Sequence, residues 1–234
     1  LDRLIFLASV LLNDPYTDSK VSKNMIDEDY IPDDRTVVKL YDSEGTESLA
    51  EVLEEINDGS SIINHNGHGF WSIMGVGEEE RITGYDAMGL HNRYSTGVTY
   101  SIGCWCSAFD YDDCIAENFV QNPNGGSVLY YGNARYGWGS PGNPGYGYSD
   151  FFDQRFYRSV FQDRIIHAGA TLAAIKAPYI PYSHWENTWR WHQYQINLLG
   201  EPSLLIRTQE PKHVEITGVP NRIPPGRNPF EVCF

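Results

Sequence analysis

The chain has 234 residues, enough to bury one large core or one domain with a fragment of another. Its 31 Asp and Glu outnumber 17 Lys and Arg, and the formal net charge of -14 argues against a nucleic-acid binder because it would repel a phosphate backbone. The longest apolar run, residues 4–12, is about half the roughly 20 residues of a bilayer-spanning helix, so we expect no membrane span.

The first half of the chain alternates strand-like and helix-like patterns. Residues 13–35 are polar and rich in Asp, and predict a loop with a short helix. The β-branched segment TVVKLYD, residues 36–42, predicts a strand. In the helix predicted next, Ser48 and Glu51 match a capping box and Gly59 marks the end. Short buried strands of the parallel kind are predicted at residues 61–64, 98–103 and 127–131.

The second half of the chain carries more helical patterns. A helix capped by Asp112 or Asp113 is predicted between the last two of those strands. Two helical stretches follow from about Ser149, and a third covers residues 187–200. The segment SLLIR, residues 203–207, predicts a last strand.

Strand, helix and strand recurring at this spacing predict an α/β fold with a mainly parallel sheet. We place this domain at residues 1–210. Residues 211–234 are rich in Pro, Asn and Gly with short β-like pieces, and predict a linker and the beginning of a C-terminal β module. Ligands of such folds collect beyond the carboxyl ends of the strands.

Two of those strand ends carry reactive side chains. His68 lies just past the strand at residues 61–64, and Cys104 directly follows the strand at 98–103. An imidazole near a thiol lowers its pKa or takes its proton, which makes a nucleophile. Gly69 and Gly103 allow tight bends, so that the N–H groups of Gly69 and Cys104 could converge on an oxyanion.

Other interpretations of these residues stay open. A buried cysteine is commonly a small hydrophobic residue, and His65 fits a structural hydrogen-bonding role better than that of the base. Zinc accepts the ligand types present, although their spacing lacks the paired Cys-x-x-Cys of common zinc sites. The residues that could supply such ligands are His65, His68, Cys104, Cys106 and Cys114.

Four ordered blocks of sequence resemble the gingipain family of cysteine peptidases, which share a caspase-like fold. They are NHNGHGFW around His68, YSIGCWCSAFD around Cys104, CIAENFVQNPNGGSVLYYGNARYGWGSP after it, and INLLGEPSLLIRT near the end. The resemblance covers about residues 1–217. It implies a three-layer sandwich with helices on both sides of the sheet, followed by the start of an immunoglobulin-like module.

The resemblance implies a role for each matched residue. His68 would be the catalytic base and leaving-group acid, and Cys104 the nucleophile of a cysteine endopeptidase that forms a thioester. Trp138 would wall the pocket for the P1 side chain, which precedes the scissile bond, with Tyr136 as a further substrate-binding residue. Asp18 is the candidate acid that would select a basic P1 residue.

The chain also departs from the family pattern. A glutamate that orients the histidine in some members corresponds here to Leu11 or Leu12, and the family's additional upstream α/β subdomain is missing. From the resemblance we expect a protein or peptide substrate. Because the upstream subdomain is missing, we also expect an N-terminal subdomain or the second chain of a processed precursor as a partner.

The resemblance further implies a secreted or cell-surface location and makes structural calcium plausible, while the chemistry itself requires no cofactor. Two alternatives from other classes remain. One is a non-peptidase thiol hydrolase, such as an amidase or transpeptidase. The other is a catalytically inactive binding domain with the same fold.

Overall fold

A six-stranded sheet forms the centre of the fold in this computed structural model, which describes residues 2–208. The predicted linker and β module at residues 211–234 lie outside the described residues. The strands are β1 (Arg3–Ala8), β2 (Val10–Asn13), β3 (Tyr16–Asp18), β4 (Thr36–Tyr41), β5 (Ile62–Asn66), β6 (Gly69–Phe70), β7 (Ile73–Val76), β8 (Glu80–Thr83), β9 (Gly97–Ser101), β10 (Ser127–Asn133) and β11 (Ile196–Gly200).

The central sheet has the order β11-β10-β9-β5-β1-β4. Its first five strands along the chain, β1, β4, β5, β9 and β10, pair in parallel, and β11 pairs antiparallel with β10 at one edge. The remaining strands form a β2-β3 hairpin and a small β6-β7-β8 sheet. The predicted α/β fold with a mainly parallel sheet is confirmed.

Helices cover both faces of this sheet. They are α1 (Lys20–Tyr30), α2 (Leu49–Asp58), α3 (Gly84–Gly89), α4 (Ile115–Gln121), α5 (Tyr148–Tyr157), α6 (Ala168–Lys176) and α7 (Thr188–Gln195). Among the described residues, no helix combines the length and apolar character needed to cross a membrane.

The central strand β1 explains the three layers. Because side chains of a strand point alternately to its two faces, Leu4, Phe6 and Ala8 join one apolar cluster, while Ile5 and Leu7 join the other. Helices α1, α5 and α6 pack on the first cluster, and α2, α3 and α4 on the second. A strand that is buried on both faces has no polar alternation, as its sequence RLIFLA indicates.

The structure corrects the predictions for residues 13–35 and for the start of α4. Residues 13–35 hold an 11-residue helix, α1, where a loop with a short helix was expected. Helix α4 begins after Cys114, whose N–H donates to Glu117 Oε2 at 2.8 Å, because the Asp112 carboxylate instead accepts from the N–H of Asp113.

The predicted end of the domain also differs. Helix α7 stops at Gln195, and residues 196–200 form β11, since Leu198 and Leu199 face opposite apolar clusters as in a strand. The segment at residues 203–207, predicted as the last strand, makes one isolated bridge between Leu205 and His167.

Candidate active site

The site lies at the carboxyl edge of the parallel strands, where β5 leads into its loop. His65, on β5, is fully buried; its ring lies 2.8 Å from both Ser101 Oγ and Gly75 O. Since a carbonyl only accepts, Nε2–H donates to Gly75 and Nδ1 accepts from Ser101. Burial lowers the pKa of His65 to about 3, so this ring is a neutral structural link between β5, β7 and β9.

His68 is exposed and has a single described ring contact. Its Nε2 lies 2.9 Å from the carbonyl oxygen of Leu11, on β2. The carbonyl accepts, so the neutral ring carries its proton on Nε2, and Nδ1 is left as the basic nitrogen. A main-chain oxygen therefore orients His68 where a carboxylate would be the more familiar partner.

Cys104 lies three residues past the end of β9, which stops at Ser101, and is half-buried. Its thiol points to Gly137 O at an S···O distance of 3.8 Å. Burial raises the pKa of the Cys104 thiol above its ordinary value, so the resting group is a thiol that needs a base. The next residue, Trp105, has a φ of 62°, a left-handed conformation that turns the chain sharply after the cysteine.

The other two described cysteines lie where burial disfavours the reactive thiolate. Cys106 and Cys114 are buried, and burial raises the pKa of each to about 12. Among residues 2–208, none of the three cysteines forms a disulfide. Cys104 is thus the most accessible of the three sulfur atoms.

Gly69 brings the histidine loop against the cysteine loop. A Cβ added there would lie 2.5 Å from Cys106 Sγ and 2.9 Å from Cys104 O, so only glycine permits this approach. His68 O accepts from Gly75 N at 2.8 Å, and Gly69 is the next residue in the antiparallel β6-β7 register. Because bonded and non-bonded pairs alternate in such ladders, the N–H of Gly69 points away from β7.

One pocket of about 340 Å³ joins these residues. His68 and Cys104 both line it, together with Leu11 and the half-exposed Trp138. The two loops that carry the imidazole and the thiol are far apart in the chain and meet here because β5 and β9 are adjacent, parallel strands.

Comparison with known proteins identifies the family of the chain. The model of peptidase family C25 matches residues 2–207. The chain belongs to peptidase family C25. The resemblance to gingipains in the sequence blocks is confirmed, and this is a family of cysteine peptidases. No curated protein matches the chain.

Solved structures similar to this C25 chain share its caspase-like fold. The Arg-specific cysteine proteinase gingipain R has a TM-score of 0.70 and 16% identity, over 89% of this chain and 48% of that one. The complex of Porphyromonas gingivalis RgpB pro- and mature domains has a TM-score of 0.68 and 17% identity, over 89% and 49%. A structure titled only as a protease has 0.67 and 13%, over 97% and 53%.

This C25 chain therefore spans about half the length of the solved structures that it matches. At these identities the likeness establishes the fold.

Two residues expected at the substrate pocket lie elsewhere. Asp18 is buried and accepts from the N–H of Lys20 at 3.0 Å and from Tyr16 Oη at 3.3 Å; Thr17 lines the pocket in its place. Tyr136 is exposed and borders a second pocket, which Trp138 also lines.

The contribution of Leu11 was missed by reasoning from residue types. Its position was identified as one that lacks the family's glutamate, but the group that contacts His68 is its backbone carbonyl. Every residue has such a carbonyl, so no side-chain pattern could have indicated it. Ser149 and Ile102, which also line the pocket, were missed for a related reason, since their residue types carry no specific signal.

Side chains of the common metal-binding types do not gather in the described part of the chain. Residues 2–208 contain no group of three or more His, Cys, Asp or Glu side chains that could hold an ion. The carboxylate of Asp110, which lies in an acidic stretch with Asp112 and Asp113, binds Arg135 through two contacts of 2.9 and 2.7 Å. The zinc alternative thus finds no such group among those residues. Structural calcium stays a prediction of the resemblance, because Ca²⁺ also accepts backbone and amide oxygens.

Proposed function

We propose that the chain is the catalytic part of a cysteine endopeptidase that works through His68 and Cys104 and a thioester intermediate. The observation that carries the proposal is the shared pocket, in which a half-buried thiol and a carbonyl-oriented imidazole line the same cavity. Membership of peptidase family C25 supports the reaction class.

The chemistry begins with a proton transfer. Nδ1 of His68 takes the proton of the Cys104 thiol, and the sulfur attacks the peptide carbonyl carbon. The N–H groups of Gly69 and Cys104 stabilise the oxyanion; each such donor is typically worth about 100- to 1000-fold in rate. His68 then protonates the leaving amine, and water hydrolyses the thioester.

The Leu11 carbonyl supports both protonation states of His68. It accepts Nε2–H whether the ring is neutral or an imidazolium, so the ring keeps its orientation throughout the cycle. A carbonyl carries only a partial charge, and it stabilises the imidazolium less than a carboxylate would. We therefore propose a dyad with a main-chain third partner.

The preference for a basic P1 residue rests on the family resemblance alone. Its candidate acid, Asp18, is engaged with Lys20 and Tyr16, and among the described residues no carboxylate lines the pocket.

Partners and location follow from the same proposal. The substrate is a protein or peptide. A second part of a processed precursor is supported by the half-length match and by a neighbour whose structure combines pro- and mature domains. We propose secretion or attachment to the cell surface because gingipain homologues are in general secreted or cell-surface proteins.

The decisive experiment compares two cysteine variants on a positional peptide library, with product sequencing. Cys104→Ala should reduce cleavage to background while the thermal unfolding midpoint stays close to that of the parent chain. Cys106→Ala is the matched control and should retain turnover, because its thiol is buried with a pKa of about 12.

Other outcomes favour the rivals. Loss of activity in Cys106→Ala with activity kept in Cys104→Ala would move the nucleophile. Turnover of small amides without any peptide cleavage would indicate a thiol amidase. A Cys104 that is not labelled by a peptidyl acyloxymethyl ketone would indicate a binding domain.

A further inference from the structure

The pocket beside Cys104 is walled mainly by uncharged, apolar groups. Leu11 and Leu12 of β2 form one side, Ile102 lies next to the cysteine, and Trp138 and Pro141 complete the wall. His68 is the only titratable side chain other than the thiol among the residues that line it. The pocket borders the proposed nucleophile, as a cavity for the P1 side chain must.

The two buried hydroxyls at this pocket are already committed to the protein. Thr17 Oγ1 donates to Pro15 O at 2.8 Å and accepts from Gly142 N at 2.7 Å. Ser149 Oγ accepts from Trp138 N at 2.9 Å and lies 3.0 Å from His192 Nε2. Neither hydroxyl is therefore free to form a strong hydrogen bond with a charged substrate side chain.

The tautomer of His192 fixes the direction of the last contact. Nδ1 lies 2.8 Å from Thr188 O and must donate to it, so Nε2 accepts the proton of Ser149. His192 is buried, and burial lowers its pKa to about 4, which keeps it neutral. The paired Ser149 and His192 side chains thus carry no charge at neutral pH.

The carboxylates nearest in sequence to the pocket are satisfied elsewhere. Asp18 accepts from Lys20 N and Tyr16 Oη and lies 3.5 Å from Lys20 Nζ. Asp150, which follows Ser149, accepts from Gly147 N at 2.9 Å and from Asn66 Nδ2 at 3.2 Å. A guanidinium or ammonium in the pocket would lose water without gaining a carboxylate.

We propose that this pocket selects a large, uncharged P1 side chain of the Leu, Met, Phe or Tyr class, so that the chain cleaves after apolar residues. The inference rests on the proposed peptidase function and refines its substrate. The net charge of -14 attracts basic substrates at long range, but this field acts on the rate of encounter rather than on what the pocket holds.

The test uses peptides that are identical except at P1, which is Leu, Met, Phe, Tyr, Arg, Lys or Asp. We expect kcat/KM for the best apolar residue to exceed that for Arg by about 100-fold, a ratio within reach of one specificity pocket. Equal or faster cleavage after Arg or Lys would overturn the inference while leaving the peptidase proposal intact.

Absence of any cleavage would sink the peptidase proposal instead. The pocket would then be tested by titrating the same peptides into Cys104→Ala in a calorimeter. Tighter binding of the apolar set would support the pocket's chemistry. Equal binding of the Arg peptide, or no binding at all, would contradict it.

A charge variant at the rim gives an independent check. Leu12→Asp places a carboxylate at the pocket and should raise the Arg-to-Leu ratio of kcat/KM by about two- to fivefold, the value of a partly exposed ion pair. Leu12→Asn is the matched neutral control and should leave the ratio unchanged. A ratio that moves equally in both variants, or in neither, would overturn the assignment.

Discussion

At the scale of single residues, the site depends on a position that has no side chain. The absent side chain of Gly69 allows two loops to touch, and the main chain of Cys104 lies against it. The sequence indicated this glycine because it follows a histidine at the end of a predicted strand. The closeness of the contact follows only from the pairing of β5 with β9.

Gly69→Ala is expected to damage both packing and catalysis. The new methyl group would sit 2.5 Å from Cys106 Sγ and 2.9 Å from Cys104 O, so the loop must shift, and the N–H proposed as an oxyanion donor shifts with it. We expect kcat/KM to fall by about 100-fold or more, with a smaller change in KM.

The control for this variant is Gly89→Ala, where an added methyl group meets no atom within 4 Å. It should leave kcat/KM and the unfolding midpoint close to those of the parent chain. If Gly69→Ala kept full activity, the close approach of the two loops at Gly69 would not be needed for catalysis.

At the scale of elements, segments with a clear periodic pattern could be predicted, and segments with an ambiguous pattern could not. The capping of α2 is an example that succeeded, since Ser48 Oγ accepts from Glu51 N at 3.3 Å. The strand β11 is one that failed, because the segment INLLG suits a helix or a strand and its pairing with β10 decides. The residues of the small β6-β7-β8 sheet, which carries Gly69, show no clear alternation of apolar and polar side chains. The sequence therefore did not predict this sheet.

Glu47 links this small sheet to the central one. Its Oε2 accepts from Ser9 Oγ at 2.8 Å, just after β1, and from Gly77 N at 2.9 Å, in the turn between β7 and β8. The side chain is buried, and burial raises the pKa of Glu47 from 4.5 to about 8. The folded chain therefore keeps this carboxyl protonated at pH values where the unfolded chain has ionised it.

The sign of the pH effect follows from that difference. Between about pH 4.5 and 8 the folded state binds the extra proton, so the stability that this group contributes is present at low pH and is lost as the pH rises through about 8. The slope approaches about 1.4 kcal/mol per pH unit. Glu47→Gln should flatten the decline, as measured by urea unfolding at pH 5, 6.5 and 8.

Glu44→Gln, a substitution at a largely exposed carboxylate, is the control and should leave the pH profile parallel to that of the parent chain. Parallel profiles for Glu47→Gln as well would mean that the Glu47 carboxyl ionises normally in the folded protein.

At the scale of the whole molecule, a buried polar network connects distant parts of the chain beneath the site. Lys23 Nζ on α1 contacts Asp153 Oδ2 on α5 at 2.6 Å and Asn64 Oδ1 on β5 at 2.5 Å. Asn64 in turn donates to Asp153 Oδ1 at 2.9 Å. Lys23 and Asp153 are 130 positions apart, and their pairing could not be read from one sequence without the fold.

This network holds the helix layer on β5, the strand that leads to His68. Both charged side chains are fully buried. Removing one of them leaves the other charge without a partner in an apolar surrounding, which costs more than the intact pair contributes. The network should therefore matter most when it is broken on one side.

Lys23→Met is expected to lower the free energy of unfolding by about 3–5 kcal/mol, because Asp153 is left buried and unpaired. The double variant Lys23→Met with Asp153→Leu should recover much of that loss. The control is Lys39→Met, which removes a partly exposed pair with Asp27 and should cost no more than about 1 kcal/mol. Urea denaturation of the parent chain, these three variants and Asp153→Leu alone measures the differences. A double variant as unstable as the sum of its two single changes would show that charge pairing is not what this network supplies.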